Sequence, residues 1–482
     1  MTETATPSAK VLDTLIVGAG ISGLTLAYSL HEQHHRQILV SESTGRVGGN
    51  ITTESSGEFL WEEGPNSFQP KPEMLQLIVD VGLEQELILA DRRLPRFVYW
   101  QGKLHPVPMS PPAAISSQLL SWPGKLRALI GALGFVPPAM GEQLSQQGGE
   151  ETVTQFFGRH LGAEVTERLV TPFVSGVYAG DVNQLSAAAA FRRVVQLESV
   201  SGGLLAGAIM SQKNRKPVMP NPNLPKTKPG ELGSLKQGLQ ALPEAISSQL
   251  CGAVKLNWRL TSLHPTQQQT YMARFATAED IRQIEARTVV ITSPAYVAAE
   301  LLQPLASQAS LALRKFYYPP VASVVLAYPI SALKYPLRGF GNLIPRSQGI
   351  RTLGTIWTSS LFPGRAPQGW QVLTSYIGGA TDPEITDLDS EQIAQAVHQD
   401  LCKILLKPDA QPKVLAVHLW QRAIPQYNLG HEQRWQQITT NLQQLPGIYL
   451  CSNYIDGVAL PDCVLRAQGR AADINQYLQS QL

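Results

Sequence analysis

The stretch that decides the fold is LIVGAGISGL, residues Leu15–Leu24. Its apolar start predicts a strand buried on both faces, and the residues after Gly20 predict a helix. Gly18, Gly20 and Gly23 fit the pattern GxGxxG. In that pattern the first glycine permits a tight turn, the second admits a pyrophosphate group, and the third lets the helix touch the strand.

A second strand follows and ends in an acid. Residues 36–42 (RQILVSE) close on Glu42, nineteen residues beyond Gly23. A carboxylate at this point accepts hydrogen bonds from ribose hydroxyls. A structural turn explains one glycine, but it does not explain three glycines together with Glu42. The sequence therefore predicts a βαβ unit that binds a dinucleotide, and composition leaves NAD and FAD open.

Composition limits what the rest of the chain can be. Its 482 residues exceed one ordinary core, so two or three domains are predicted. Apolar residues are 43% and charged residues 16%, which is typical of a packed globular protein. The formal net charge of +2 gives no reason to expect a nucleic-acid partner.

Cysteine usage and the N-terminus bear on the compartment. The four cysteines form no CxxC pair and no zinc-type cluster, so we predict no metal site and a reducing environment. The first ten residues lack the apolar core of a signal peptide, and no apolar run reaches the ~18 residues of a transmembrane helix. We expect a cytoplasmic protein, or one peripheral on a membrane.

Periodicity predicts the elements between the motifs. An apolar repeat predicts a helix over residues 72–90. Helical patterns broken by Pro and Gly over residues 110–200 predict a mostly helical insertion, with Ser116–Leu120 as one of its helices. Short alternating stretches over residues 316–376 predict antiparallel sheet, and the proline-rich, basic segment 214–230 predicts a surface loop.

The residues after Glu42 favour FAD over NAD. The stretch GRVGGN (residues 45–50) brings Arg46 and a glycine pair towards the same phosphates. Arg46 can bond the pyrophosphate or a ribose, and Gly48 and Gly49 let the backbone pass close to it. The stretch WEEGPNSF (residues 61–68) then places a Gly-Pro turn where a flat ring could lie against the main chain.

In this order, these motifs resemble the flavin amine oxidase and desaturase superfamily. The chain is more similar to the protoporphyrinogen oxidases of the plant-plastid and cyanobacterial type, and the resemblance runs from end to end. The stretches that carry it are RVGGNITT (46–53), WEEGPNSFQP (61–70), PRFVYWQGKLHPVP (95–108), GSLKQGLQALP (233–243), TLGTIWTSSLFPGRAP (352–367), YIGGATDPE (376–384) and SNYIDGVALPDCV (452–464).

The resemblance implies an α/β fold class, α+β overall. A Rossmann-like FAD-binding domain of the amine oxidase type would come with an antiparallel-sheet substrate domain and a helical insertion. The implied ranges are 1–86, 232–298 and 414–482 for the FAD-binding domain, 87–98, 197–231 and 299–413 for the substrate-binding domain, and 99–196 for the helical, membrane-associating domain.

The resemblance also implies the residues that contact FAD. Val254 matches a position whose backbone meets the adenine, and Val458 to Leu460 match a loop beside the flavin ring. The chain departs from the family at Asp456, at Cys451–Ser452 in place of paired glycines, and at Leu465–Arg466 in place of Glu-Gly. The implied FAD contacts are Gly18, Gly20, Ser22, Gly23, Glu42, Arg46, Gly49, Gly64, Pro65, Asn66, Ser67, Val254, Val458, Ala459 and Leu460.

The implied substrate is an apolar tetrapyrrole that carries propionates. A carboxylate requires a cation, and Arg96 matches the family's carboxylate-binding arginine. Leu343, Ile356 and Tyr376 match the walls of the substrate pocket, and Phe173 and Gly176 match its edge. No nucleophile–base pair is found, so no protein residue is assigned to catalysis and the flavin is expected to take the hydride.

The implied activity is oxygen-dependent, six-electron oxidation of protoporphyrinogen IX to protoporphyrin IX, with H2O2 as by-product, in heme and chlorophyll biosynthesis. The partners are the porphyrinogen and O2, and a homodimer is left open. Peripheral membrane contact is expected through the apolar stretches Leu119–Trp122 and Ala128–Met140, although a buried core helix explains the same pattern.

Other functions stay open at this point. A coproporphyrinogen III oxidase would share the fold and flavin but needs more cations for four propionates. An amine oxidase usually has an aromatic cage before the flavin, and Tyr454 has no obvious partner for one. A carotenoid desaturase and a non-enzymatic FAD-binding chaperone are the remaining alternatives.

Overall fold

The computed structural model describes residues 11–35, 37–137, 149–213 and 221–481. Two seven-stranded sheets and two short ribbons organise these residues. The strands are β1 (Leu12–Val17), β2 (Ile38–Ser41), β3 (Thr53–Ser56), β4 (Phe59–Glu62), β5 (Leu87–Ala90), β6 (Arg96–Trp100), β7 (Lys103–Pro106), β8 (Leu232–Leu235), β9 (Val254–Lys255), β10 (Arg259–Pro265), β11 (Tyr271–Ala276), β12 (Ile281–Ile291), β13 (Val321–Pro329), β14 (Gly341–Leu343), β15 (Thr352–Ile356), β16 (Trp370–Gly378), β17 (Lys413–Trp420) and β18 (Ile448–Leu450).

Helices cover the faces of both sheets and form a separate cluster. One of them is interrupted by a π-helical segment at Thr166–Val170, between α6 and α7 as numbered here. The helices are α1 (Ile21–Glu32), α2 (Pro72–Asp80), α3 (Pro111–Ser116), α4 (Trp122–Ala132), α5 (Val153–Leu161), α6 (Ala163–Val165), α7 (Thr171–Tyr178), α8 (Ala187–Ala190), α9 (Arg192–Ser201), α10 (Leu204–Lys213), α11 (Ala241–Gln249), α12 (Ala295–Leu302), α13 (Ser307–Leu313), α14 (Thr358–Leu361), α15 (Ser390–Ile404), α16 (His431–Leu442) and α17 (Leu460–Ser480).

The first sheet has the order β10-β11-β12-β1-β2-β9, with β18 also paired to β12. Strands β1, β2, β9 and β18 run parallel to their neighbours, as the apolar runs predict. One face packs on α1, α2, α11 and α17, with Leu24 and Leu26 fully buried, and the other packs on α12, α13 and α16. Each such leucine contributes about 1.5–3 kcal/mol by leaving water.

The second sheet has the order β17-β13-β16-β15-β14-β6-β7 and is antiparallel except between β14 and β6. Helix α15 covers one face with Val397 and Leu401, which pack on Leu326 and Leu373 of the sheet. The opposite face of β14 and β15 meets α7. The predicted fold class, a Rossmann-like α/β unit with an antiparallel sheet and a helical insertion, is confirmed by this architecture.

Two predicted helices end differently in the structure. The helix predicted over residues 72–90 stops at Asp80, because Gly82 adopts a φ of +79° and turns the chain. Leu87–Ala90 then forms β5, which pairs with β8. The prediction was wrong beyond Asp80, since an apolar repeat continues across a turn without marking it.

The predicted helix at Ser116–Leu120 is also wrong. Helix α3 ends at Ser116, and Ser117 is extended. Ser121 starts the next helix, because its side chain accepts a hydrogen bond from the Gly124 amide at 3.1 Å. The residues between these helices therefore form a connector, in which Leu119 is buried.

One predicted domain boundary divides the strands differently from the observed sheets. Strand β17 hydrogen-bonds β13 in the second sheet, whereas the predicted boundary at residue 414 assigns it to the FAD-binding domain. The remaining boundaries stay predictions. Residues 1–10, residues 138–140 of the predicted membrane stretch, and residues 214–220 of the predicted loop lie outside the described part of the chain.

None of the described helices alone is both long enough and apolar enough to cross a bilayer. The segments Arg192–Val200 and Leu204–Gln212 meet the length and composition test only as a pair, and they are bent by 90°.

Candidate active site

The turn between β1 and α1 has the geometry that its glycines predict. Gly18 has a φ of +109°, which residues with a side chain rarely adopt. A Cβ on Gly23 would lie 2.0 Å from the Gly18 carbonyl oxygen, so a larger residue would push helix and strand apart. A Cβ on Gly20 would meet no protein atom within 4 Å. The turn is therefore open at Gly20, where α1 begins with no side-chain cap and its first amides are left for an anion.

Glu42 is buried at the end of β2 and supports this turn. Its Oε2 accepts a hydrogen bond from the Ala19 amide at 2.9 Å, and its Oε1 accepts one from the Thr44 amide at 2.9 Å. The carboxylate thus lies against the glycine turn, as the βαβ pattern predicts. Its bond to a ribose stays a prediction.

Arg46 lies in the next loop and is turned onto that loop's own carbonyls. Its Nη1 donates to the Ile51 oxygen at 3.1 Å, and its Nη2 donates to the Gly49 oxygen at 2.6 Å. A Cβ on Gly49 would lie 3.3 Å from the Gly20 Cα, so the loop passes close to the turn. Arg46 shapes that loop, and its bond to a pyrophosphate stays a prediction.

The segment Gly64–Ser67 joins the predicted cofactor and substrate residues. A Cβ on Gly64 would lie 1.9 Å from the Asn50 oxygen, so this segment touches the loop after Arg46. The Asn66 amide donates a hydrogen bond to the Tyr376 hydroxyl, 310 positions away in the sequence. Its Oδ1 is buried and has no partner among the described residues, which leaves an acceptor for a ligand. Pro65 is half-buried beside it.

The other predicted cofactor residues lie in two separate segments. Val254 pairs with Val40 in β9, beyond β2. Val458 and Ala459 lead into α17, which begins at Leu460 without a side-chain cap.

The N-termini of α1 and α17 lie side by side. Ser22, in the first turn of α1, lies beside the Cys463 thiol, in the first turn of α17, where the two helices pack on each other. Both sets of unpaired amides are therefore close to the same turn.

Four predicted substrate residues lie in two adjacent rows across the second sheet. In the first row, Tyr376 pairs with Gly354, Gly354 with Leu343, and Leu343 with Val98. A Cβ on Gly354 would lie 3.0 Å from the Leu343 Cδ2, so this glycine makes room for its neighbour.

The second row contains Ile356, Gly341 and Arg96, which pair in that order. Residues two apart in a strand point to the same side, so both rows share one face of the sheet. Sequence reasoning missed Gly341 and Gly354, although a glycine inside a strand signals a close approach. We call this surface the wall face; it comprises Arg96, Val98, Gly341, Leu343, Gly354, Ile356 and Tyr376.

Helix α7 covers the wall face. A Cβ on Gly176 would lie 2.3 Å from the Leu343 Cδ2, so a larger residue there would require the Leu343 side chain to move. Phe173, one turn earlier, is 43% exposed and lies 6.2 Å from the Phe191 ring. The structure therefore brings the predicted edge residue Gly176 to the predicted wall, and it places Phe173 on the same helix beside Phe191.

Arg96 is the cation of the wall face. It is half-buried, its Cζ lies 4.8 Å from the centre of the Phe340 ring, and its Nη2 donates to the Gly230 oxygen at 3.3 Å. Burial lowers the pKa of Arg96, yet a guanidinium stays charged in proteins. Its other donors have no hydrogen-bond partner among the described residues, so they are available to a carboxylate.

A buried ion pair that sequence reasoning missed lies between the end of β4 and β8, where Arg365 donates hydrogen bonds to Ser234 and Leu235. Glu62 and Arg365 are 2% and 1% exposed, with 3.8 Å between Oε1 and Nη2. Burial raises the pKa of Glu62 to about 6, and burial together with Glu62 raises the pKa of Tyr376. The sequence signal for this pair was Glu62 itself, an acidic residue that directly follows the apolar residues FLW in the stretch FLWEEG.

Comparison with known proteins identifies the class. Residues 21–475 match the family of flavin containing amine oxidoreductases. The match extends over far more than half of the sequence, and the chain belongs to this family.

The relatives narrow the class to porphyrinogen oxidases. The chain is 45% identical to the chloroplastic protoporphyrinogen oxidase of Nicotiana tabacum over 484 residues, 98% of this chain and 87% of that protein. It is 30% identical to the coproporphyrinogen III oxidase of Bacillus subtilis (strain 168) over 486 residues, 97% and 98% of the two chains. A crystal structure from Exiguobacterium sp. 255-15 matches with a TM-score of 0.77 and 25% identity, over 97% of this chain and 100% of that chain. The predicted resemblance is thus confirmed.

A dinucleotide-binding turn in a flavin-containing family makes FAD the cofactor, as predicted. The residues present fit it. Gly20 opens onto free space, α1 and α17 begin without side-chain caps, and Asn66 Oδ1 is left unpaired. The protein is therefore an FAD-dependent oxidase, and the individual FAD contacts stay predictions.

Proposed function

We propose that this protein oxidises protoporphyrinogen IX to protoporphyrin IX with O2 as electron acceptor. The observation that carries the proposal is the wall face. This surface is apolar, contains Gly341 and Gly354, and has Arg96 at one end. The hydrogen bond between Asn66 and Tyr376 connects it to the segment predicted to bind the cofactor. The identity to a protein named protoporphyrinogen oxidase supports the same substrate.

In this proposal the protein's residues bind and orient the substrate. Arg96 holds a propionate, Leu343 and Ile356 contact the macrocycle, and α7 excludes water from above. FAD supplies the redox chemistry, in which each of three rounds removes a hydride and a proton from the substrate and passes two electrons to O2 to give H2O2. Tyr376 keeps its hydroxyl proton, since burial raises its pKa. Its hydroxyl accepts a hydrogen bond from the Asn66 Nδ2, and this contact holds Asn66 so that its Oδ1 can accept a hydrogen bond from a ligand.

Protoporphyrinogen fits better than coproporphyrinogen III on charge. Within the two rows of the wall face, Arg96 is the one cation. A second arginine, Arg168, lies over the Trp100 ring at 4.4 Å, but it is already paired with Glu164. One available guanidinium suits two propionates on neighbouring rings more than four around the macrocycle. The higher identity to the tobacco enzyme points the same way.

The direct test is a comparison of the two porphyrinogens in air, followed by porphyrin fluorescence. We expect kcat/KM to favour protoporphyrinogen IX by at least tenfold. A preference for coproporphyrinogen III would replace the substrate and keep the fold. A flavin-loaded protein that oxidises neither would overturn the proposed function.

The apolar face of the helical insertion supports peripheral membrane contact. Trp122, Leu126 and Leu129 of α4 and Leu133, its C-cap residue, follow helical spacing and are 71%, 58%, 53% and 53% exposed. The Lys125 Nζ lies 4.5 Å from the centre of the Trp122 ring. A tryptophan and a lysine beside an apolar stripe are typical of a helix that lies in a lipid interface. A homodimer stays a prediction, on which none of these contacts bears.

A further inference from the structure

The segment that leads into α17 carries an ion pair that the dinucleotide motif does not require. The Nε of Arg466 donates to the Asp456 carboxylate, and its Nη2 donates to the Gly457 oxygen at 3.0 Å. The Arg466 side chain is 8% exposed, whereas the Asp456 side chain is 45% exposed. A buried cation is thus paired with a carboxylate that reaches the surface of the turn at residues 456–459.

This turn has a fixed conformation, so its charges have fixed positions. The Tyr427 hydroxyl accepts a hydrogen bond from the Gly457 amide at 2.7 Å and donates one to the Asn453 oxygen. Gly457 has a φ of +154°, and a Cβ there would lie 2.6 Å from the Asp462 Cβ. The turn is therefore held by Tyr427 on one side and by Arg466 on the other.

The ion pair is one side chain away from the cofactor turn. The Cys463 Sγ lies 3.9 Å from the Arg466 Nη1 and beside Ser22 in the first turn of α1. Burial raises the pKa of Cys463, so its thiol adds no charge. Within the described ranges, Asp456 is the carboxylate in salt-bridge contact with Arg466. The other nearby carboxylate, Asp462, is paired with Lys71 instead.

We propose that Asp456 and Arg466 set the reduction potential of the bound flavin as a pair of cancelling charges. The proposal rests on the proposed function only in requiring that FAD is bound at this turn. Reduction places negative charge on the ring, so a nearby cation favours it and a nearby carboxylate opposes it. While the pair is intact, the two effects offset each other. Removal of either partner exposes the charge of the other.

The test uses the neutral variants Asp456→Asn and Arg466→Gln and the double variant, each as flavin-loaded protein. The readouts are the flavin midpoint potential, measured against a reference dye, and the FAD dissociation constant. We expect Asp456→Asn to raise the potential and Arg466→Gln to lower it. Each change corresponds to at least a threefold shift in the reduction equilibrium, which is ~14 mV for two electrons. The double variant should lie close to the wild type.

A matched control exists on the same helix. Arg470 and Asp473 form an ion pair with 3.0 Å between Nη1 and Oδ2, further from the turn. Arg470→Gln and Asp473→Asn should leave the potential unchanged. Arg466→Lys keeps the charge but weakens the geometry, so it should retain the wild-type potential even where it loosens FAD.

The sign of the shifts decides between an electrostatic and a mechanical role. A clamp that only holds the turn would weaken FAD binding in both single variants and shift both potentials in the same direction, or in neither. Either result overturns the inference and leaves the proposed function intact. A wild-type protein that binds no FAD would instead overturn the proposed function itself.

Discussion

At the scale of single residues, Arg96 carries the recognition of the substrate. A charge-assisted hydrogen bond contributes about 1.5–3 kcal/mol, so its loss should weaken binding by about 10- to 100-fold. We therefore predict that Arg96→Ala raises KM for protoporphyrinogen IX by at least tenfold and leaves the FAD content unchanged. Steady-state kinetics with a flavin assay of the same samples measure both.

A control for Arg96 lies three residues earlier in the chain. Arg93 is exposed and bound to Asp91, so Arg93→Ala should leave KM unchanged. An unaltered KM in Arg96→Ala, or an equal rise in Arg93→Ala, would remove Arg96 from this role.

Glu62 makes stability depend on pH in an unusual direction. Burial raises its pKa from 4.5 to about 6, so folding favours its protonated form. The protonated Glu62 therefore adds to the free energy of unfolding. This stabilisation is fully present below pH 4.5 and is lost as the pH rises through 6. By linkage the loss amounts to about 2 kcal/mol.

We predict that Glu62→Gln removes this pH dependence. The melting temperature of the wild type should fall relative to that of the variant as the pH is raised from 4.5 to 7. Parallel curves for the two proteins across this range would show that Glu62 ionises normally in the folded state.

Residue types reveal only part of this site in advance. The geometry of Gly18 and Gly23 is readable, because a tight turn and a close helix–strand contact follow from local backbone geometry, whereas the ligand contacts of Gly20 and Glu42 stay predictions. The orientation of Arg46 is not readable from the sequence. Carbonyl oxygens of its own loop, those of Ile51 and Gly49, accept hydrogen bonds from the guanidinium as a phosphate would.

At the scale of elements, the β1–α1 turn separates a binding glycine from a packing glycine. Gly20 has a φ of −74°, and its Cβ position meets no protein atom within 4 Å. We predict that Gly20→Ala leaves the stability of the apoprotein unchanged but weakens FAD binding at least tenfold, because the methyl group enters the space left for the cofactor. Flavin fluorescence titration of the apoprotein measures this effect.

Gly23→Ala should behave in the opposite way. Its Cβ would lie 2.0 Å from the Gly18 oxygen, so helix and strand must separate. We expect a loss of about 1–3 kcal/mol of stability even without FAD, measured by denaturant unfolding. A destabilised Gly20→Ala apoprotein together with an unaffected Gly23→Ala protein would contradict the geometry of this turn.

The exposed stripe on α4 is the element that decides membrane contact. Leu126→Glu and Leu129→Glu place charges on positions that are 58% and 53% exposed, so the fold should tolerate them. We predict that the double variant loses most of its binding to anionic liposomes in a flotation assay. Lys255→Glu, on the exposed part of β9, is the control. Equal flotation of the variant and the wild type would exclude α4 as the contact.

Helix and strand boundaries show where sequence periodicity stops being informative. Helix α5 and the parallel strands can be predicted from the sequence, because helix caps and apolar runs are local signals. The helix predicted over residues 72–90 fails because Leu87–Ala90 pairs with Leu232–Leu235, more than 140 residues away. Such long-range pairing overrides a local repeat.

At the scale of the whole molecule, the active site exists only where distant segments meet. The Asn66–Tyr376 contact joins the cofactor segment to the second sheet, and the wall face combines four strands from two distant parts of the chain. Sequence reasoning identified these residues through family resemblance, whereas the face they share and the approach of α7 become visible only in the fold. Domain assembly is thus the part that local patterns do not encode.

In the proposed reaction, protoporphyrinogen IX gives its electrons to the flavin held in this chain. Anaerobic mixing of the FAD-loaded protein with excess protoporphyrinogen IX, followed through the flavin absorbance, measures this transfer. We expect bleaching of the flavin band, formation of porphyrin, and recovery of the band when O2 is admitted. A flavin that stays oxidised with this substrate, yet bleaches with an amine, would contradict it.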